Sequence, residues 1–169
     1  MALTDRIRGH PVLLRVALAG VVVFALLQLV PYGWSHDNPP VEQDAPWPDA
    51  ASAEIARESC YDCHSNETDW PLYSYVAPMS WLVRRDVEGG RDELNFSRWD
   101  DDAGEADDAI EVVEDGSMPP WQYTLIHRGA TLGDEEADEL VAALEAMDEG
   151  GDRGDDSGGG GGDSSGHGS

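Results

Sequence analysis

The sequence predicts a mainly α-helical protein in which one transmembrane helix precedes a small helical domain. Residues 12–30 are apolar except for Arg15 and Gln28, and a helix needs about 20 such residues to cross a bilayer. In the rest of the chain, apolar residues recur at helical spacing between Pro, Gly and Asp residues that start or stop helices. No alternating run is long enough to predict a strand.

The N-terminal apolar segment favours an uncleaved anchor. We assign residues 1–11 to a cytoplasmic tail and residues 12–31 to a transmembrane signal-anchor helix. A cleaved signal peptide is the competing interpretation, because its apolar core is about 7–15 residues long. No small-residue cleavage site follows, whereas Tyr32 and Trp34 suit a membrane surface. Arg outnumbers acidic residues before and early in the apolar run, so the positive-inside rule predicts a single-pass protein of the cell membrane whose chain after Pro31 lies outside the cytoplasm.

The composition is strongly acidic. Ten basic residues, all of them Arg, stand against 35 Asp and Glu residues, which gives a formal net charge of -25. Such a surface repels polyanions and excludes nucleic acid and anionic lipid surfaces as natural partners. At about 1 M salt the Debye length is only ~3 Å. Self-repulsion of the carboxylates is then screened, so the composition predicts a halophile protein.

The first part of the exported chain is predicted to lead into a helix. Residues 32–48 are rich in Pro and poor in apolar residues, which predicts a stiff tether. The folded domain is assigned to residues 49–149. Asp49 is the predicted N-cap of a helix that delivers residues 60–64 at its end. These residues should therefore lie at a corner between a helix and a loop.

A loop and a second helix are predicted next. Residues 70–77 contain aromatic residues and a Pro and are followed by another Pro, so an ordered loop is expected rather than a strand. A helix is predicted from Pro78, and Gly89 with Gly90 is expected to end it.

Two more helices complete the predicted domain. An acidic helix is expected from about Asp101 to Asp115, with Gly116 stopping it. Thr131 or Gly133 should open the last helix, whose acidic first turn suits the helix dipole. Its core-facing stripe is Leu140, Val141, Leu144 and Met147. Residues 150–169 lack apolar side chains and are predicted to be a disordered acidic Gly/Ser-rich tail.

The chain has two cysteines, Cys60 and Cys63, and His64 follows the second. A redox disulfide expects the pair at the start of a helix, whereas the predicted helix here comes before it. A zinc site needs four ligands, and His127 or His36 would have to complete it without belonging to a second motif. Covalent haem accounts for the order of the residues, because two thiols add to two vinyl groups and the adjacent His becomes an iron ligand.

Haem c also agrees with two independent features. Haem is ligated to apocytochromes outside the cytoplasmic membrane, the side predicted from the arginines. A domain of about a hundred residues has a marginal core of its own, and a flat apolar cofactor adds buried surface. The predicted fold is therefore a small cytochrome-c-like helical domain around one covalent haem c.

An electron-carrying haem of this type needs a sixth iron ligand, and Met raises its potential relative to a second His. Met118 is the predicted distal ligand, because Gly116 permits a tight turn and two following prolines stiffen the backbone. His127 and Met79 are the alternatives. Met147 lies on the apolar stripe of the last helix and is expected in the core.

A series of short motifs resembles one protein family. The patterns CxxCHSN, WPxYS, APxSWL, LNFSxW and MPPW follow one another between about residues 50 and 147. This order is similar to that of the haem-binding domain family of small c-type cytochromes and is far more specific than Cys-x-x-Cys-His alone. The resemblance implies covalent haem on Cys60 and Cys63, with His64 and Met118 as axial ligands.

These features predict a membrane-anchored monohaem c-type cytochrome that relays single electrons between redox partner proteins. Arg84 and Arg85 are candidates for pairing with the haem propionates, since a buried carboxylate in so acidic a domain needs a cation nearby. The rival function is a haem enzyme or sensor, such as a peroxidase-like catalyst with an open sixth position. In such a catalyst, His127 would be the polar residue on the distal side of the haem. An electron carrier is favoured as long as Met118 binds the iron.

Overall fold

The computed structural model describes residues 11–99 and 106–155. Its helices are α1 (Pro11–Leu27), α2 (Ala50–Ser59), α3 (Tyr61–His64), α4 (Met79–Glu93), α5 (Ala106–Glu114), α6 (Trp121–Ile126) and α7 (Asp134–Asp155), with 3₁₀ helices at Leu72–Tyr75 and Arg128–Ala130. Within the described residues, the β pairing is limited to an isolated bridge between Gln43 and Arg98. The prediction of a mainly α fold is confirmed for this part of the chain.

The chain divides into two compact units. Of the described residues, unit 1 contains 11–37 and 69–88, and unit 2 contains 38–68, 89–99 and 106–155. Helix α4 contributes residues to both units.

In unit 1, the segment after α1 is fixed to the start of α4. The Gln28 side chain pairs with both backbone groups of one residue: its Nε2 donates to the Ala77 carbonyl at 3.1 Å, and its Oε1 accepts from the Ala77 N–H at 2.9 Å. Gly33 has a φ of 84°, and a Cβ there would lie 2.6 Å from the carbonyl oxygen of Ser80. Only glycine meets both conditions, because it adopts positive φ without strain and allows close backbone approach.

Helix α1 is shorter than the transmembrane helix predicted over residues 12–31. It has 17 residues and ends at Leu27. The apolar run breaks at Gln28, whose amide is engaged by hydrogen bonds outside the helix. In the part of the chain that the structure describes, no helix has both the length and the apolar character needed to cross a bilayer. The prediction of a transmembrane helix is therefore not supported.

The core of unit 2 is built from α7, α2 and the segment that follows α4. Leu140 and Leu144 of α7 are each 1% exposed, so the predicted apolar stripe is confirmed. Phe96 stacks between other aromatic rings, with centroids 5.4 Å from Tyr61 and 6.2 Å from Trp99. The buried cluster consists of Ala45, Ala56, Tyr61, Leu94, Phe96, Trp99, Ala106, Val113, Leu140, Leu144 and Met147.

Part of the segment predicted as a tether belongs to the fold of unit 2. The Ala45 N–H donates to the Phe96 carbonyl at 2.8 Å, and the Trp99 N–H donates to the Gln43 carbonyl at 3.0 Å. Ala45 is buried in the core. Residues 42–45 are thus paired backbone, and ordered structure begins before the boundary expected at residue 49.

Capping side chains fix the starts of two helices as predicted. The Asp49 carboxylate accepts hydrogen bonds from the N–H groups of Ala51 at 2.8 Å and Ser52 at 3.0 Å, which satisfies two of the unpaired donors at the start of α2. Before α7, the Gly133 N–H donates to a carboxylate oxygen of Glu136 at 2.8 Å. This is one half of a capping box, so Gly133 opens the last helix.

The prediction that Gly89 and Gly90 end the second helix is wrong. Helix α4 continues through both glycines to Glu93. A Cβ on Gly90 would lie 2.5 Å from the carbonyl oxygen of Cys63, so glycine is used here for a close approach of two backbones. Gly90 therefore marks a close contact between α4 and the Cys63 backbone and not the end of the helix.

Other predicted boundaries agree with the structure to within the described residues. The loop predicted over residues 70–77 contains the 3₁₀ helix and no strand. Helix α5 ends before Gly116, whose φ is 72°, while residues 101–105 of the predicted helix lie outside the described part. Helix α7 extends to Asp155, beyond the expected start of the tail, and residues 156–169 are not described.

Candidate functional site

Residues 60–64, which we call the attachment turn, place the two thiols and the imidazole on one turn of backbone. Cys60 ends α2, where its N–H donates to the Ala56 carbonyl at 2.8 Å. The N–H groups of Cys63 and His64 then both donate to the Cys60 carbonyl, at 3.1 Å and 2.9 Å. Neither cysteine forms a disulfide, and both are partly buried. The structure therefore has the predicted corner and brings Cys60, Cys63 and His64 together.

The environment of the thiols bears on the redox and zinc alternatives. Burial, with a smaller contribution from the neighbouring Cys63, raises the pKa of the Cys60 thiol to about 12. A redox-active pair needs a thiol whose pKa is lowered, whereas Cys60, which ends α2 and precedes the four-residue α3, has a raised pKa. Among residues 11–99 and 106–155, no three His, Cys, Asp or Glu side chains form a group that could hold a metal ion.

The His64 ring is oriented by a backbone carbonyl. Its Nδ1 lies 3.1 Å from the carbonyl oxygen of Leu94, and since a carbonyl only accepts, Nδ1 carries the proton. Burial lowers the pKa of His64, although backbone carbonyls of Leu94 and Gly90 act in the opposite direction. A neutral imidazole protonated on Nδ1 keeps the lone pair of Nε2. This is the state in which His binds a metal, with the other ring nitrogen held by a second partner.

A buried network of hydrogen bonds holds the backbone at the end of the attachment turn in place. The Phe96 N–H donates to the His64 carbonyl at 2.8 Å. Asn95 Nδ2 donates to Asn66 Oδ1 at 3.0 Å, and Ser97 Oγ accepts from the Asn66 N–H at 2.9 Å. Asn66, Asn95 and Ser97 are all buried. Buried polar groups persist when their hydrogen bonds are made, and this pairing explains why an Asn follows the haem motif and why Leu-Asn-Phe-Ser occurs thirty residues later.

Arg91 holds the chain just beyond the turn. Its Nε donates to the Ser65 carbonyl at 2.7 Å, and its terminal nitrogen donates to Asn38 Oδ1 at 3.0 Å and to Thr68 Oγ1 at 2.9 Å. A guanidinium suits this role because its donors form a rigid fork. Sequence analysis did not predict this structural role of Arg91, because its partners Ser65, Asn38 and Thr68 are distant in the chain.

The loop that carries Met118 is ordered, and Met118 is not part of the apolar core. The Met118 N–H donates to the Val112 carbonyl at 3.0 Å, and the Ser117 N–H donates to Asp115 Oδ1 at 2.8 Å. Met118 is 39% exposed, whereas Met147 is 4% exposed within the core cluster. The expectation that Met147 is core material is confirmed, and the role of Met118 as an iron ligand stays a prediction.

Helix α6, which follows Met118, is joined to the attachment turn. The Tyr123 hydroxyl donates to Asp62 Oδ2 at 2.7 Å, and Asp62 lies between the two cysteines. The His127 ring stacks on Tyr123 with centroids 4.4 Å apart and an interplanar angle of 9°. Sequence reasoning named His127 as an alternative ligand and missed Tyr123. A residue 61 positions from its partner gives no pattern that a single sequence reveals.

The remaining candidates lie in unit 1. Met79 is the first residue of α4 and is half-buried. Arg84 is paired with Glu88, with its terminal nitrogen 2.6 Å from the carboxylate, and it also donates to the Ser35 carbonyl at 3.1 Å. Arg85 is exposed on the same helix. The pairing of Arg84 or Arg85 with a haem propionate stays a prediction.

The residues of unit 2 fit a covalently held haem. The attachment turn presents two thiols that form no disulfide and one imidazole protonated on Nδ1. The absence of a Cβ at Gly90 lets α4 pack against the Cys63 backbone, with 2.5 Å to the carbonyl oxygen from where a Cβ would lie. A helical domain with this arrangement defines a class, that of haem proteins.

Comparison with known proteins agrees with this class. A family model described as a haem-binding domain matches residues 22–146, and the chain belongs to this haem-binding domain family. Over 141 residues it is 28% identical to cytochrome c peroxidase of Escherichia coli (strain K12). That match covers 75% of this chain and 30% of the peroxidase, so the chain spans less than a third of its relative. No solved structure matches it.

Proposed function

We propose that the protein is a membrane-anchored monohaem c-type cytochrome that transfers single electrons outside the cytoplasm. The observation that carries the proposal is the attachment turn, in which the Leu94 carbonyl fixes the proton of His64 on Nδ1 at 3.1 Å. Cys60 and Cys63 would hold haem through two thioether bonds. Each would form by addition of S–H across a vinyl double bond, with sulfur bonding to one carbon and hydrogen to its neighbour, without net oxidation. Bound haem supplies reversible Fe(III)/Fe(II) exchange.

His64 is assigned as the proximal ligand and Met118 as the distal ligand. The neutral imidazole presents Nε2, and the buried network of Asn66 and Asn95 keeps the backbone at His64 in place. Met118 supports the carrier function because its side chain lies outside the core while its backbone is fixed to Val112. A methionine in the sixth position closes the iron to substrates, which suits electron transfer.

The location is proposed from chemistry and from exposed apolar surface. Thioether attachment of haem takes place outside the cytoplasm, so the attachment turn belongs on that side. Helix α1 has no buried residue, and its apolar side chains are open, with Val12 at 66% and Leu18 at 63% exposure. We assign α1 to membrane anchoring, which predicts that the haem-stained chain stays with the membrane fraction until detergent is added.

A haem-dependent peroxidase activity is the second candidate. It is favoured by the similarity to a cytochrome c peroxidase, although the chain spans 30% of that protein. His127 follows the last residue of α6, stacks on Tyr123 and offers a polar ring beside the Tyr123–Asp62 contact. This function requires that Met118 leaves the iron or does not bind it.

One set of measurements separates these proposals. Protein matured in a host with cytochrome assembly should show haem that survives denaturing electrophoresis and a pyridine haemochrome spectrum with one haem per chain. Replacing both Cys60 and Cys63 with Ala should remove the covalent haem. The oxidised wild type should show the weak charge-transfer band of a Met–iron bond, and Met118→Ala should lose it.

Three results would each overturn a part of the proposal. Retention of the Met–iron band in Met118→Ala would exclude Met118 as the ligand, and Met79→Ala would be the variant to compare next. Rapid peroxide turnover by the wild type, equal to that of Met118→Ala, would favour the enzyme. Colourless wild-type protein with both thiols still reactive would end the haem c proposal.

A further inference from the structure

The hydrogen bond between Tyr123 and Asp62 joins two parts of unit 2 that the proposed haem site needs together. Asp62 lies within the attachment turn, between the two cysteines. Tyr123 is in α6, five positions after Met118. The bond is 2.7 Å long and partly buried, and it spans 61 positions of the chain. Hydrogen bonds to a carboxylate are stronger than those between neutral groups.

The Met118 loop is otherwise tied to the helix before it. The Met118 N–H and the Ser117 hydroxyl both donate to the Val112 carbonyl, at 3.0 Å and 3.3 Å. These two bonds fix the shape of the loop against α5. The Tyr123 bond has a different partner, because it connects the end of the same loop to the attachment turn. Five residues of chain span at most about 17 Å when extended, so a fixed Tyr123 limits where Met118 can lie.

We propose that Tyr123, acting through Asp62, is a positioning residue that holds the Met118 loop at the attachment turn and thereby sets how firmly Met118 binds the iron. This inference rests on the proposed function, in which Met118 is the distal ligand. The stacked His127 ring, with centroids 4.4 Å apart, covers one face of Tyr123 and restricts its rotation. The hydroxyl is thus directed at the carboxylate by packing as well as by charge.

Tyr123→Phe tests the proposal because it removes one oxygen and keeps the ring and its stacking on His127. The haem-loaded wild type and variant would be titrated with imidazole, which competes with Met118 for oxidised iron. Loss of a hydrogen bond to a charged partner should weaken Met ligation about tenfold. The apparent affinity for imidazole should then rise about tenfold, because imidazole would displace a Met118 side chain that is held less firmly at the iron.

Tyr61→Phe is the matched control. Tyr61 also donates to an aspartate, Asp44, at 2.9 Å, and its hydroxyl accepts from Trp47 Nε1 at 2.9 Å. It is the residue before Asp62, so the control removes the same type of bond from the same turn without touching α6. We expect its imidazole affinity to stay within about twofold of wild type, even if its stability falls further. Asp62→Asn keeps a hydrogen-bond acceptor for Tyr123, so its apparent affinity for imidazole should stay close to that of the wild type. Asp62→Ala removes the acceptor, so its imidazole affinity should rise as in Tyr123→Phe.

The outcomes separate this inference from the function on which it rests. Equal imidazole affinities in the wild type and Tyr123→Phe, with the Met–iron band intact in both, would overturn the positioning role alone. Equal increases in Tyr123→Phe and Tyr61→Phe would also overturn it, because loosening of the whole turn would explain them. A wild type without the Met–iron band would overturn both the inference and the assignment of Met118. A selective increase in Tyr123→Phe and Asp62→Ala supports it.

Discussion

Two adjacent glycines of α4 give a sharp test of how the attachment turn is packed. A Cβ at Gly90 would lie 2.5 Å from the Cys63 carbonyl oxygen and 2.9 Å from its carbonyl carbon, whereas a Cβ at Gly89 would meet nothing within 4 Å. Both residues lie inside the same helix. Replacing Gly with Ala in a helix interior should stabilise by about 1 kcal/mol at either position. At Gly90, overpacking against backbone should cost about 1–3 kcal/mol.

The difference between Gly90→Ala and Gly89→Ala isolates the packing cost, because helix propensity cancels. We expect Gly90→Ala to unfold about 4 °C or more below Gly89→Ala, since 1 kcal/mol shifts the midpoint by about 4–8 °C in a domain of this size. Thermal unfolding followed by circular dichroism measures this. Haem content per chain should also fall in Gly90→Ala, because Cys63 must move. Equal midpoints and equal haem content in the two variants would show that α4 does not pack on the attachment turn as described.

Two further predictions concern the supports of unit 2. Arg91→Lys should lower the free energy of unfolding by about 1.5–3 kcal/mol, because an ammonium cannot reach the three acceptors of the guanidinium. The control, Arg85→Lys at an exposed position, should change the free energy of unfolding by less than about 0.5 kcal/mol. Equal losses of stability in the two variants, measured by urea titration, would contradict the role assigned to Arg91. Hydrogen bonds from Ser52 and Ala51 lower the pKa of Asp49, so its capping contribution is present above about pH 3.9 and is lost as the pH falls through the lower folded value. The stability difference between wild type and Asp49→Ala should therefore shrink as the pH is lowered through this range. A stability difference that does not depend on pH would refute the capping role of the Asp49 carboxylate.

The pKa values of the attachment turn distinguish the roles of a Cys-x-x-Cys pair. A redox pair depends on a stabilised thiolate, and burial at the end of α2 does the opposite by raising the pKa of Cys60 to about 12. Thioether formation places neutral sulfur in the same surroundings and leaves no buried charge. Burial likewise lowers the pKa of His64 and favours the neutral imidazole that a metal requires. One apolar environment therefore suits both kinds of residue.

Local sequence signals predicted the elements whose causes lie within a few residues. Asp49 caps α2, Gly133 opens α7, and Leu140 with Leu144 forms the buried stripe of that helix. Each depends on contacts within one or two turns of the helix, which spacing in the sequence encodes directly. The same holds for the attachment turn, because Cys60, Cys63 and His64 share one turn of backbone. A transmembrane helix was predicted on the same grounds, but among the described residues no helix has the length and apolar character needed to cross a bilayer.

Sequence by itself determined the chemistry that this protein offers: two thiols, an imidazole and a helical scaffold of acidic surface. Tertiary structure decided how that chemistry is held. The Leu94 carbonyl that selects the His64 tautomer is 30 positions away, and the Tyr123 hydroxyl that reaches Asp62 is 61 positions away. Gly90 was predicted to end a helix, whereas in the structure its backbone packs closely against Cys63. Such contacts arise when elements distant in the chain are packed together, and no local pattern of residues records which ones will meet.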